Sequence, residues 1–324
     1  MTFKELEKIQ YLDLHPIHHS FMEDVIEGLS DQNKWLNSMY FYDEIGSKLF
    51  TEICKLEEYY VTRTELSIMR DNLDDIIRTI GLNPFLIELG SGASEKVRLL
   101  LDRFNNNCSY MGIEISKNFL LSSSKLLAKE YPFINIYAVC ADFTQLHQLN
   151  MLIEPYQNKV FYFPGSTIGN FLFDEAIILL KEVRSVLKKG DGFLIGIDRY
   201  KDEAILHAAY DDSQNVTAKF NLNLLKRINR ELNANFDIDK FTHKIIFNKD
   251  LHRIEMHLES NAKQDVTINN KTFSFKRAER IHTENSYKYT REMMNDLFHQ
   301  GHFKVVKEWT DENEYFTLAF LEAI

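Results

Sequence analysis

Gly90-Ser91-Gly92 follows a short apolar run, Phe85-Leu86-Ile87-Glu88-Leu89, and precedes Ser94, Glu95 and Lys96 at the head of an amphipathic stretch that reaches Phe104. Glycines at a strand-to-helix turn let backbone N–H groups approach a ligand with no Cβ in the way, and a helix N-terminus favours an anionic group there. Such a turn is either a plain loop or a nucleotide or nucleoside site, with Ser94 as the expected helix cap. Glu114 lies near the end of the strand-like segment Ser109–Ser116, roughly 20 residues beyond the turn, where a carboxylate accepts from ribose hydroxyls in doubly wound folds. Asp142 and Phe143 end a further strand-like run, Ile134–Cys140; they fit an adenine amino group and ring face, or a plain helix start. Pro164-Gly165-Ser166-Thr167-Ile168-Gly169-Asn170 is a conformationally special loop after the strand Val160–Phe163, the usual place for reacting groups in such a sheet.

These groups need a frame, and the chain supplies one. A helical spacing from Thr64 to Ile80 closes on Gly81, and from there strand and helix alternate through Gly192–Asp198, with helices at Lys117–Tyr131 and Phe173–Lys189. Strict alternation implies a parallel sheet covered by helices. The pattern breaks over 200–289, where a helix, Val216–Leu232, and strand-like runs at Lys244–Phe247, Arg253–Glu259 and Lys271–Phe275 suggest an insertion with its own small sheet. A helix at Thr290–Gln300 and a hairpin, Phe303–Trp309 and Tyr315–Leu321, close the chain. That ending is the one found in class I S-adenosylmethionine-dependent methyltransferases, whose last strand enters antiparallel. The expected fold is α/β, a class I methyltransferase (Rossmann-like) doubly wound sheet plus a second α+β substrate-binding domain. The expected division is 65–199 with 290–324 for the donor, and 1–64 with 200–289 for substrate recognition.

Composition narrows the partners. Acidic residues outnumber basic ones 48 to 38, for a formal net charge of −10, and no dense basic stripe is present. That argues against nucleic acid or an anionic membrane surface as partner and leaves small molecules. The charged N-terminal segment Met1–Glu7 lacks an apolar signal core, so a cytoplasmic location is expected. Cys54, Cys108 and Cys140 have neither disulfide nor metal spacing, and His15, His18 and His19 read as surface residues, so no metal is expected. A monomer is the default without coiled-coil heptads. Tyr40–Phe50 and Glu57–Glu65 carry five or more aromatic rings in polar, loop-like sequence. They form either a satellite core under a long loop or a pocket wall whose tyrosine hydroxyls serve a ligand.

Over nearly its whole length the chain resembles the histidine-specific Nα-methyltransferases of ergothioneine biosynthesis. The likeness rests on Phe41–Phe50, Glu58–Glu65, Glu88–Lys96, Gly165–Asn170, Ala209–Asp212, Phe220-Asn221, Ile254–Met256 and His282–Ser286. Val61 stands where the family usually has proline, and Glu114 where it usually has aspartate. The resemblance implies S-adenosylmethionine as methyl donor, with Gly90 and Lys96 at its methionine end, Glu114 on the ribose, Asp142 and Phe143 at the adenine, and Phe50 as a further donor contact. It implies L-histidine as substrate, bound through Tyr42, Tyr59, Gly165, Asn170, Tyr210, Met256, Glu284 and Ser286, with Tyr42 and Asn170 nearest the chemistry. Glu284 and Ser286 are two apart, so on a strand they face the same way and can serve the two imidazole nitrogens. Rival readings are a same-fold enzyme for tryptophan or tyrosine, of which Glu284 and Met256 argue against an indole, and a non-catalytic S-adenosylmethionine-binding protein.

Overall fold

The computed structural model describes residues 3–6, 8–14, 20–92 and 96–324, without the side chains of 143–145. The capping role expected of Ser94 and the surface placement of His15, His18 and His19 lie outside the described residues. The chain forms two compact units, 1–17 with 63–199 and 289–324, and 18–62 with 200–288.

The first unit is built on one sheet. In chain order its strands are β1 (Lys4–Leu6), β2 (Ile9–Asp13), β3 (Phe85–Leu89), β4 (Ser109–Glu114), β5 (Asn135–Cys140), β6 (Lys159–Phe163) and β7 (Gly192–Asp198). The second unit contributes β8 (Phe241–Asn248), β9 (Arg253–Ser260), β10 (Gln264–Ile268), β11 (Lys271–Phe275) and β12 (Arg280–Tyr287), and the first resumes with β13 (Phe303–Thr310) and β14 (Phe316–Ala323). Among the described residues the large sheet runs β1-β2-β5-β4-β3-β6-β7-β14-β13. β3 lies centrally, parallel to β4 and β6, and β14 enters antiparallel beside β7. Every residue of β3, β6 and β7 is buried, as expected of parallel strands covered on both faces. This is the class I methyltransferase sheet, with β1 and β2 added at its edge.

That addition differs from the expected grouping of residues 1–64 with 200–289. β2 runs parallel to β5 from Ile9 opposite Ile136 to Asp13 opposite Cys140, which ties the N-terminal strands to the large sheet. The helix expected over 64–80 is two helices, Tyr60–Asp71 and Leu73–Ile80, interrupted at Asn72. Asn72 turns its amide onto the Ile68 carbonyl at 2.9 Å, a local bond that competes with helix continuation.

In the second unit β12, β9 and β8 form an antiparallel sheet, and β10 and β11 a hairpin. Helix Val216–Leu232 packs on the sheet and on helix Glu44–Ile53. The latter helix lies where the sequence reads as loop. Asp43 caps it, accepting from Gly46 N at 2.7 Å, and also takes Asn223 Nδ2 at 2.9 Å and Arg230 at 2.6 Å. Burial would raise the Asp43 pKa, yet these donors hold it below the usual carboxylate range. The cap therefore joins two helices that lie far apart in sequence.

Candidate functional site

In the first unit the polar centre forms at the C-terminal ends of β3, β4 and β6. Gly90 and Gly92 take φ of 64° and 49°, left-handed values at which a side chain is strained. Gly90 N and Ser91 N both donate to the Ile113 carbonyl, at 2.9 and 3.1 Å, so the turn folds back over β4. Glu114 at the end of β4 accepts from Gly92 N at 3.4 Å through one oxygen and from Ile115 N and Ser116 N at 2.9 and 3.2 Å through the other. Burial raises its pKa, and the three backbone donors pull the other way. Asp142 is half-buried just after β5, and Phe143 opens the short helical turn Phe143–Leu149.

Lys96 pairs with Glu65, which is fully buried on helix Tyr60–Asp71. Glu65 also accepts from Gly165 N with both oxygens, at 2.9 and 3.1 Å. One carboxylate thus fixes both the lysine after the glycine turn and the loop after β6. Room for it comes from Gly196 on β7, where a Cβ would stand 2.4 Å from Glu65 Oε1. Gly165 (φ 77°) and Ser166 (φ 57°) are both left-handed, and the Ser166 hydroxyl accepts from Asp198 N at 2.9 Å, anchoring the loop that ends at Asn170. Glu88 on β3 is buried and accepts from the Tyr110 hydroxyl at 2.6 Å. Burial pushes its pKa up to about 8 against that bond and the Lys96 charge. Glu65 closes the segment Glu58–Glu65, and its only mark in the sequence is a carboxylate among the apolar positions of a helix.

In the second unit the rings of Tyr42, Phe50, Tyr59, Tyr210 and Phe220 form a continuous cluster. Phe50 lies edge-on to Tyr42 (centroids 5.6 Å) and to Tyr59 (6.3 Å), Phe220 lies 5.8 Å from Tyr42, and Tyr59 lies 6.2 Å from Tyr210. Tyr42 is 41% exposed while Tyr59 is buried, so the cluster has an open side. Burial raises the Tyr59 pKa well above normal, with Tyr210, Cys54, Tyr42 and Glu284 adding to it, which keeps the phenol protonated. The rings pack on one another as a satellite core does, with Tyr42 on its open side.

Beside them, β12 carries Glu284 opposite Met256 and Ser286 opposite Ile254. A bulge between His282 and Glu284 leaves Thr283 without a partner in the register, its hydroxyl donating to the Met256 carbonyl at 3.1 Å. The extra residue turns Glu284 to the face opposite His282, where it shares a surface with Met256 and Ser286. Glu284 keeps some surface open but is crowded on the other sides; this burial pushes its carboxyl up to about 8, and the Lys288 charge pulls it down. The Ser286 hydroxyl stands 2.6 Å from that of Tyr210, and Lys288, absent from the sequence expectations, donates to both.

The structure thus brings Tyr42, Phe50, Tyr59, Tyr210, Met256, Glu284 and Ser286 into one unit. Gly90, Lys96, Glu114, Asp142, Gly165 and Asn170 lie in the other.

A family model described as "Histidine-specific methyltransferase, SAM-dependent" matches residues 21–323. Among curated proteins, the chain is 36% identical over 307 residues to histidine N-alpha-methyltransferase of Mycobacterium tuberculosis, covering 93% of this chain and 94% of that one. It is 37% identical over 311 residues to the protein of that name in Mycolicibacterium smegmatis, covering 94% and 96%. Ergothioneine biosynthesis protein 1 of Schizosaccharomyces pombe is 30% identical over 288 residues, covering 85% of this chain and 37% of that protein.

Proposed function

The chain belongs to the histidine-specific, S-adenosylmethionine-dependent methyltransferase family, and from that premise we propose that it methylates the α-amine of L-histidine three times, to trimethylhistidine (hercynine), the first step of ergothioneine biosynthesis. The observation that carries the reading is the pairing of Glu284 and Ser286 on one strand face, beside Met256 and a cluster of tyrosine rings. An imidazole presents one N–H and one bare nitrogen, and a carboxylate next to a hydroxyl answers both. An indole has a single N–H and a larger body.

S-Adenosylmethionine supplies an electrophilic methyl group on a sulfonium. The first unit holds it through Gly90 and Lys96 at the methionine end, Glu114 at the ribose hydroxyls, and Asp142 with Phe143 at the adenine; Phe50 is a further contact from the resemblance. Tyr42, Tyr210, Gly165 and Asn170 take the amino and carboxylate groups of histidine, and Tyr59 reaches its ring through water. With the methyl group already activated, the protein's main task is to align the amine lone pair with the C–S bond and keep the amine unprotonated. Nitrogen–carbon bond formation and carbon–sulfur cleavage then occur together. The first and second methylated products each shed a proton, for which Tyr42 is the assigned relay. The last product is a quaternary ammonium that cannot donate hydrogen bonds, and the faces of Tyr42, Phe50 and Tyr59 stabilise it by cation–π attraction. The donor falls to the unit of the large sheet, and substrate recognition to 18–62 with 200–288.

Mass spectrometry after incubation with S-adenosylmethionine and a panel of amino acids tests the proposal. Mono-, di- and trimethylhistidine are expected in succession. Methylated tryptophan or tyrosine in their place would replace the reading, and no product from any amino acid would favour a binding protein.

A further inference from the structure

Lys288, just beyond the end of β12, is fully buried. Its ammonium donates to Tyr210 Oη at 2.9 Å and to Ser286 Oγ at 2.8 Å, and stands 4.6 Å from the centre of the Tyr210 ring. A buried lysine is uncommon because leaving water is costly for a charge, so its partners matter. Tyr210 Oη and Ser286 Oγ are 2.6 Å apart, and a single hydrogen lies between them. A phenol is the stronger acid and the poorer acceptor of the two, and an ammonium against its oxygen strengthens both tendencies. Tyr210 is therefore the donor. Ser286 Oγ then accepts from Lys288 and from Tyr210, which fills both its lone pairs and leaves only its own O–H to offer.

We propose that Lys288 is a positioning residue that fixes Ser286 as a hydrogen-bond donor, so that the ring site selects neutral imidazole in one tautomer over imidazolium. The inference rests on the reading that the histidine ring lies between Glu284 and Ser286. Glu284 accepts the ring N–H and Ser286 donates to the bare nitrogen. An imidazolium has two N–H groups and would meet a hydroxyl with no lone pair left. The other titratable groups around the triad are Glu284 itself, Tyr59, Tyr42 and His243, whose Nε2 lies 2.9 Å from the Tyr210 carbonyl and whose pKa burial lowers, with Asp211 and Asp212 acting on it.

The test compares histidine with β-(1,2,4-triazol-3-yl)alanine, whose ring also carries an N–H and a bare nitrogen but stays neutral in mild acid. Both are titrated calorimetrically into the full chain with S-adenosylhomocysteine present, and the ratio of the two affinities cancels any titration of Glu284. For the wild type, the histidine-to-triazole ratio should fall about tenfold per pH unit below roughly pH 6.5. In Lys288→Met and in Tyr210→Phe one lone pair on Ser286 is released, and the ratio should become nearly flat; in Lys288→Arg, which keeps a donor, it should fall as in the wild type. Tyr210→Phe retains the ammonium, so it separates hydrogen-bond direction from simple charge repulsion, and it decides the matter if the methionine variant fails to fold. A flat wild-type ratio, or an undiminished slope in a folded Tyr210→Phe variant, overturns the inference alone. A wild type that binds and methylates neither amino acid overturns the ring-site reading and the inference with it.

Discussion

The glycine turn of the first unit and the ring site of the second are built from different materials. Around the turn, the groups proposed to meet the donor are chiefly backbone N–H donors and carboxylates already bonded to backbone, with Glu65 holding Lys96 and Gly165 at once. In the ring site of the second unit they are side chains, five aromatic rings with Glu284 and Ser286, and Lys288 stands behind them on Tyr210 and Ser286. A site made from backbone depends on the fold that carries it, whereas a site made from side chains can lose one member and keep its fold. Substitutions in the first region should therefore register as lost stability, and those in the second as lost histidine affinity.

The largest effect is expected at Glu65. Replacing it with alanine leaves the mostly buried Lys96 and the Gly165 N–H without this partner, and breaking a buried ion pair on one side costs about 3–5 kcal/mol. Urea unfolding of Glu65→Ala should show a loss at the lower end of that range, since Lys96 retains some exposure, together with weaker S-adenosylmethionine binding. A loss under about 1 kcal/mol would mean that the pair is not what holds the loop, and the contrast between the two regions would fail on its first side.

Next in size is Glu284. Glu284→Ala should weaken histidine binding by about 1.5–3 kcal/mol, the cost of losing a charged hydrogen-bond partner, and leave S-adenosylmethionine affinity and the melting temperature nearly unchanged. Unchanged histidine affinity by calorimetry would remove Glu284 from the ring site. The pH dependence sharpens the point. Burial holds the Glu284 carboxyl near 8, and a ring N–H stabilises its ionised form, so histidine binding releases a proton. Wild-type affinity should fall as pH drops below about 8, and Glu284→Gln should make that fall shallower, leaving only the part due to protonation of the substrate amine. Affinity rising toward acid would reverse the assigned sign.

The same contrast explains what the sequence could and could not disclose. Backbone-built features leave local marks: the apolar run Phe85–Leu89, the glycines after it and the helix Val216–Leu232 are all found where the pattern places them. The closing hairpin and its antiparallel entry were equally plain. Helix Glu44–Ile53 was hidden by its polar, glycine-containing composition, although Asp43 was a serviceable cap signal. β12 escaped because the Thr283 bulge shifts its alternation by one and its inner face carries Glu284 and Ser286 where a strand pattern expects apolar residues. Lys288 had no local mark at all, since a lysine reads as solvent-facing until Tyr210, distant in sequence, is seen against it. Spacing puts Glu284 and Ser286 on one strand face, and only the family resemblance ties that face to an imidazole.

The smallest expected effect tests whether the aromatic cluster does more than pack. Phe50 touches Tyr42, Tyr59 and Phe220 with its ring, so Phe50→Leu keeps an apolar filler and removes one π face. A partly exposed cation–π contact is worth about 0.5–1 kcal/mol, equivalent to roughly two- to fivefold in affinity. The variant should therefore bind trimethylhistidine roughly two- to fivefold more weakly while histidine affinity, which depends on Glu284 and Ser286, moves less. Equal weakening of both ligands would assign Phe50 to packing of the ring site as a whole, and the quaternary ammonium would then have to be stabilised by Tyr42 and Tyr59 alone.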